Sequence, residues 1–261
     1  MKLLFVAGGY FSGDQLHTIP YLNKFNSEGY NDITIVAGTY SQKATEFLAS
    51  QPCFNIKKTI FLEDGIPRGI GSRDEFIKKF NNIRPTLNLG TFDKEVIDRG
   101  SSFEWQYKNK IEEMSKFINS NWDIHRNSGN YICVQYSSIH AWKMVSALKH
   151  VKFPYPVKSL GLPGEEIIPG SEDCRGLPFN EVAKLIMGSK MYIGIHSALS
   201  CLTFYLNKPS IIISWDRSTF PFSEFRDNFI DLVVKSDSPE SVASIEDSIR
   251  KLEGLVKLQN K

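Results

Sequence analysis

A chain of 261 residues with 41% hydrophobic and 23% charged residues can bury one large core or two small ones, which excludes a disordered or fibrous protein. Its net charge of +2 gives no argument for nucleic acid or a membrane as the main partner, although it leaves room for a local basic patch. The four cysteines, Cys53, Cys133, Cys174 and Cys201, form no C-x-x-C pair; Cys133 and Cys201 lie in apolar runs and read as buried thiols, which points to a reducing compartment without structural zinc.

The first residues, Met1-Lys2-Leu3-Leu4-Phe5-Val6-Ala7, are a short apolar run cut off by Gly8-Gly9, so they read as a buried strand over 3–7 rather than an export signal. No apolar stretch approaches the roughly 20 residues of a membrane span, and a cytoplasmic protein is expected. After the glycine-rich turn, Leu16, Ile19, Pro20, Leu22 and Phe25 recur at helical spacing. A strand over 32–37, a helix over 40–50 and a strand over 55–62 follow. Residues 63–100 are punctuated by Gly65, Pro67, Gly69, Gly71, Pro85, Gly90 and Gly100, and read as an irregular functional loop carrying a short helix over 72–81. This loop is a candidate for acceptor binding. An amphipathic helix over 103–118 and a polar boundary over 119–130 close the first half.

The second half alternates more cleanly. Strands are expected over 131–135, 157–160, 191–195, 210–214 and 231–235. Helices are expected over 141–149, 178–188 with Val182, Leu185 and Ile186 on one face, and 197–206. A closing helix over 239–257 carries Val242, Ile245, Ile249, Leu252 and Val256 as its buried stripe. Strands alternating with helices predict an α/β fold of two doubly wound, Rossmann-like domains, 1–125 and 126–261, with the closing helix free to pack back on the first. Ligands in such sheets gather outside the carboxyl ends of the strands, here in the cleft between the domains.

Directly after the first strand stands Gly13-Asp14-Gln15-Leu16-His17-Thr18-Ile19-Pro20. Asp14 reads either as a helix N-cap or as a general base that the glycine turn points at a ligand. His17, one turn on, reads either as a packed histidine or as a neighbour of the same site. The stretch GDQLHTIPYL closely resembles the start of the heptosyltransferase-like glycosyltransferases of family nine, where GD-x-LHT-x-P-x-L follows the first strand. The resemblance implies a GT-B fold with the first domain on the acceptor side. It also implies that Asp14 is the base acting on an acceptor hydroxyl, with Tyr10 and His17 on the acceptor side and Gly13 a donor contact.

Three further segments match the same family more loosely. Ile195-His196-Ser197-Ala198-Leu199-Ser200-Cys201 runs from strand to helix; a helix start there offers unpaired backbone N–H groups to an anion, or is simply a junction capped by Ser197. It resembles the family's D-[ST]-G-x-x-H diphosphate loop, with His196 in place of the Asp, Ala198 of the Gly and Cys201 of the His. The resemblance therefore implies Ser197, Ala198 and His196 as donor contacts. Before the helix over 178–188, Asp173 suits a ribose diol and Arg175 a phosphate, or the two form a solvated loop pair. After the strand over 131–135, Ser137, Ser138 and Lys143 match a phosphate-contacting segment, or are a serine-rich helix start.

The five histidines make no i,i+4 pair, no D-x-D triplet is present, and neither a metal nor a cofactor is expected. The reading is a metal-independent glycosyltransferase that moves a sugar from a nucleotide-diphosphate donor to an acceptor hydroxyl of a glycan, a small molecule or, less favoured, a modified nucleic-acid base. The rivals are a non-catalytic sugar-nucleotide-binding module on the same fold and a GT-B sugar-nucleotide epimerase. Arg68, Arg73, Lys78, Lys79 and Arg84 make residues 68–84 locally basic, which suits a phosphate-bearing acceptor or a solvated face.

Overall fold

The apolar run after Lys2 becomes β1 (Lys2–Ala7), whose last five side chains are all buried. A strand with no polar face belongs inside a parallel sheet covered on both sides. In the computed structural model, which describes residues 1–7, 15–63, 72–98, 119–124, 129–137, 145–215 and 222–259, the chain divides into two units, Met1–Asp123 and Ile124–Lys261. Among the described residues the first unit holds a four-stranded parallel sheet. β2 (Asp32–Gly38) flanks β1 on one side, with β3 (Ile56–Leu62) beyond it, and β4 (Lys94–Asp98) flanks β1 on the other.

β4 corrects the expectation of an irregular 63–100 stretch, because residues 94–98 pair in register with residues 3–7 of β1. Its alternation of half-buried Lys94 and Val96 with exposed Glu95 and Ile97 is that of a charged edge strand. The helix within the same stretch is α3 (Ser72–Ile83), whose Phe76 and Phe80 pack with Leu4, Val6, Val36 and Leu62. α1 (Ile19–Ser27) starts with Pro20 in its first turn, where a missing N–H costs nothing, and buries Ile19, Leu22 and Phe25. α2 (Gln42–Ala49) buries Ala44, Phe47 and Leu48. Trp122 stacks on Phe47 at 5.5 Å and meets Phe54 edge-on at 5.4 Å, so the end of this unit is tied to its own core. The helix expected over 103–118 lies outside the described residues.

In the second unit the strands are β5 (Ile132–Gln135), β6 (Val157–Ser159), β7 (Glu172–Asp173), β8 (Tyr192–Ile195), β9 (Ser210–Ser214) and β10 (Phe229–Val233). They form a parallel sheet in the order β10-β9-β8-β5-β6-β7. Two residues long, β7 is too short to leave a periodic signal. β10 begins two residues before its expected start because Phe229 is anchored in an aromatic cluster, 5.7 Å from Phe204 and 5.8 Å from Phe222. Of the helix expected over 141–149, residues 138–144 lie outside the described residues, and the rest is a 3-10 turn, Ser146–His150, that tucks in Ala147 and Leu148.

α4 (Phe179–Gly188) buries Val182, Ala183, Ile186 and Met187 and leaves Leu185 half-buried. α5 (Ala198–Tyr205) and α6 (Pro239–Gln259) follow. Ile245, Ile249 and Leu252 of α6 pack into one core with Ile132, Val134, Ile193, Ile195, Ile211 and Ile213 of the sheet, so the closing helix lies on its own unit. Among the described residues no helix is long and apolar enough to cross a membrane. The same residues contain no group of three His, Cys, Asp or Glu able to hold a metal ion.

Leu252→Ala is expected to destabilise the second unit by about 2–5 kcal/mol, the usual cost of such a cavity, in denaturant unfolding. Truncating its exposed neighbour, Lys251→Ala, should stay within about 0.5 kcal/mol of the parent.

Candidate functional site

The strand order of the second unit reverses between β5 and β8. From β5 the chain progresses outward to β6 and β7; from β8 it progresses the other way to β9 and β10. In open parallel sheets the crevice for a ligand opens at the carboxyl ends of the strands at such a reversal. Here those ends carry Gln135, Tyr136 and Ser137 on one lip and Ile195, His196, Ser197 and Ala198 on the other.

Ser197 caps α5. Its hydroxyl accepts from Leu199 N–H at 3.1 Å, and the reciprocal bond, Ser197 N–H to Ser200 Oγ at 2.9 Å, completes a capping box with the Ser200 N–H. The same hydroxyl donates to Gln135 Oε1. Gln135 is 5% exposed, and its Oε1 also accepts from Tyr192 Oη at 3.1 Å, while its Nε2 donates to Ser137 O at 3.4 Å. Complete burial raises the Tyr192 hydroxyl far above its usual range and keeps it a neutral donor. Gly194 accommodates this bond: a Cβ there would overlap the Tyr192 hydroxyl.

Ser137 is buried, and its hydroxyl accepts from Glu166 N–H at 2.8 Å and donates to Glu166 O at 3.3 Å. Tyr136 Oη donates to Glu166 Oε2 at 3.1 Å, and Lys149 Nζ pairs with the same oxygen at 2.8 Å. The ammonium of Lys149, then the Tyr136 hydroxyl, hold the Glu166 carboxyl below its ordinary value. The loop between β6 and β7 is thereby fastened to the β5 lip.

At the end of β7, two strands from β5, Arg175 forks onto Asp173, with Nε to Oδ1 at 2.8 Å and Nη2 to Oδ2 at 2.7 Å. Its Nη1 donates to Glu165 O. The guanidinium holds the Asp173 carboxyl down at about 2. Glu165 is 8% exposed, its carboxylate folded against Gly161, where a Cβ would overlap it.

Ser137, His196, Ser197 and Ala198 are thus gathered at the strand reversal, whereas Asp173 and Arg175 sit at the sheet edge and bind each other. His196 is half-buried, its ring 5.6 Å from that of Phe222. In the first unit His17 is 6% exposed in the turn before α1. Tyr10, Gly13, Asp14, Ser138 and Lys143 lie outside the described residues. Gln135, Tyr192, Glu165 and Glu166 were not singled out from the sequence. The available signal was a glutamine ending the otherwise apolar run Ile132-Cys133-Val134, since a polar side chain at the carboxyl end of a buried strand needs partners there.

No protein-family model matches the chain, and no curated protein is similar to it in sequence. Solved structures are. A family 9 glycosyltransferase of Veillonella parvula matches at 13% identity and a TM-score of 0.63, covering 96% of this chain and 89% of that one. The E. coli heptosyltransferase WaaC with ADP-2-deoxy-2-fluoro heptose matches at 13% and 0.64, covering 96% and 99%. The E. coli ADP-heptose LPS heptosyltransferase II matches at 13% and 0.58, covering 99% and 98%. The two parallel-sheet units of this chain are those of the GT-B fold, as found in the family-nine heptosyltransferases.

Proposed function

We propose that the chain is a glycosyltransferase that takes its sugar from a nucleotide-diphosphate donor held at the strand reversal of the second unit. The observation that carries this reading is the convergence of the β5 lip and the Ser197 helix start at a reversal point, in a chain of GT-B fold. The Leu-His-Thr-Ile-Pro after Gly13-Asp14 supports the assignment of Asp14 as general base. In the proposed step Asp14 takes the proton of the acceptor hydroxyl while that oxygen bonds to the anomeric carbon. The bond from that carbon to the diphosphate breaks, and the nucleoside diphosphate leaves with the electron pair.

The hydroxyls of Ser197 and Ser137 are committed to Leu199, Gln135 and Glu166. The leaving diphosphate is therefore assigned to Ala198 N–H and the α5 dipole, with Lys143 as the cation, since Arg175 is itself committed to Asp173 and Glu165 O. In this reading no metal or cofactor takes part. The acceptor is a hydroxyl on a glycan, a small molecule or a modified base, and Tyr10 and His17 belong to its side.

Calorimetry with a panel of nucleotide sugars, followed by assays of transfer and donor hydrolysis, tests the proposal. Asp14→Asn should keep donor affinity within about twofold and lose about 10²–10⁴-fold in turnover, the range of general-base contributions. Wild-type turnover in this variant would remove Asp14 from the chemistry, and donor binding with no turnover in the parent would mark a binding module. A second expectation concerns pH. Because Arg175 depresses the Asp173 carboxyl, the pair's support for the β7 loop is complete above the ordinary value of 3.8 and is lost as pH falls through about 2. In Arg175→Leu, carbon-detected NMR titration of Asp173 should return to the ordinary carboxylate range.

A further inference from the structure

One buried polar side chain, Gln135, bonds to both lips of the crevice. Gln135 is 5% exposed and uses both ends of its amide: Oε1 accepts from Tyr192 Oη at 3.1 Å and from Ser197 Oγ, and Nε2 donates to Ser137 O at 3.4 Å. The first and last of these bonds reach different places, one a fully buried hydroxyl in β8, the other the backbone that leaves β5. The bond from Ser197 decides how the α5 cap works. By accepting the hydrogen bond of the Ser197 hydroxyl, Gln135 leaves that oxygen's lone pairs to Leu199 and Ser200 N–H.

A buried polar network of this kind adds little stability over an apolar core of the same shape, but it fixes one geometry, because each member unpaired would cost its desolvation. Had its role been packing alone, an aliphatic side chain at residue 135 would fill the space without touching either loop. The neutrality of the amide also matters. A carboxylate could accept from Tyr192 and Ser197 equally well, yet it could not donate to Ser137 O and would place a negative charge beside the helix start.

We propose that Gln135 is a positioning residue for a diphosphate. It locks the Ser197 cap and the Ser137 carbonyl to each other, so that the crevice presents its anion-binding geometry before the ligand arrives, and its lack of charge keeps the crevice open to phosphate. The proposal rests on the reading of this crevice as the donor site. It assigns Gln135 to the phosphate part of the ligand and not to the nucleoside.

The test is calorimetry on the full chain with ADP and UDP, and with adenosine and uridine as the uncharged halves of the same ligands, with thermal unfolding recorded for each variant. For whichever diphosphate the parent binds more tightly, Gln135→Met should weaken binding about tenfold, as expected for about 1.4 kcal/mol of lost hydrogen bonding, and leave the nucleoside within about twofold. Gln135→Glu at pH 8 should weaken the diphosphate further, by about 100-fold, again sparing the nucleoside. Tyr192→Phe keeps the ring and removes the hydroxyl that bonds Gln135 and meets Ser197; it should give the same selective loss at about threefold, and it stands in should Gln135→Met fail to fold.

Equal losses for diphosphate and nucleoside, or affinities unchanged in folded variants, would overturn the role of Gln135 and leave the donor-site reading standing. Failure of the parent chain to bind either diphosphate would overturn both.

Discussion

Between β5 and β8 the second sheet reverses its order, and the loops leaving the two strands run to opposite sides. Much else in this unit follows from that constraint. Loops that part leave polar ends uncovered where the neighbouring side chains are buried, and those ends must find partners. Gln135 supplies them for the Ser197 cap and the Ser137 carbonyl, Glu166 for the Ser137 hydroxyl, and Gly194 gives up its side chain so that Tyr192 can reach Gln135. The starts of the two loops are fixed to each other by hydrogen bonds that close on one another.

That closure redistributes the work a diphosphate would require. A serine hydroxyl that already accepts from two backbone N–H groups and donates to an amide has no capacity left for phosphate. Within the first turn of α5, Ala198 N–H lies outside the capping box, and the helix dipole adds its partial charge there. Cationic neutralisation then has to come from elsewhere. Arg175, forked onto Asp173 and tethered to Glu165 O at the sheet edge, already has its charge matched by a carboxylate that stays ionised across the neutral range.

Most of the sheet was legible in the sequence because parallel strands buried on both faces read as unbroken apolar runs, as in Leu3-Leu4-Phe5-Val6-Ala7 and Ser210-Ile211-Ile212-Ile213. β4 was not, since a half-exposed edge strand with Lys94 and Glu95 at its start looks like the loop around it, and β7 is only two residues. The 3-10 turn Ser146–His150 was expected as part of an α-helix because Ala147 and Leu148 are spaced for either. At the site, residue types that announce chemistry (Asp173, Arg175, His196) drew notice from the sequence, while Gln135 and Tyr192 did not. Their role depends on two strands becoming neighbours across 57 residues of chain, which local spacing cannot convey.

The departures from the family-nine diphosphate loop have a physical sense in this setting. Cys201, where the resembling pattern places His, is 3% exposed in a helix that is apolar nearly all round, so a charged imidazole there would be buried with it. His196, in the place of the Asp, leans on Phe222 in the cluster of Phe204 and Phe229, where an aromatic ring gains contact that a carboxylate could not. Ala198 replaces Gly at a half-buried helix start with ordinary backbone needs. Together the three changes remove the acidic side chain and shift the histidine from residue 201 to residue 196. Losing a carboxylate while keeping one imidazole makes the loop less negative by one charge than the resembling pattern, a change in the sense that suits an anionic ligand.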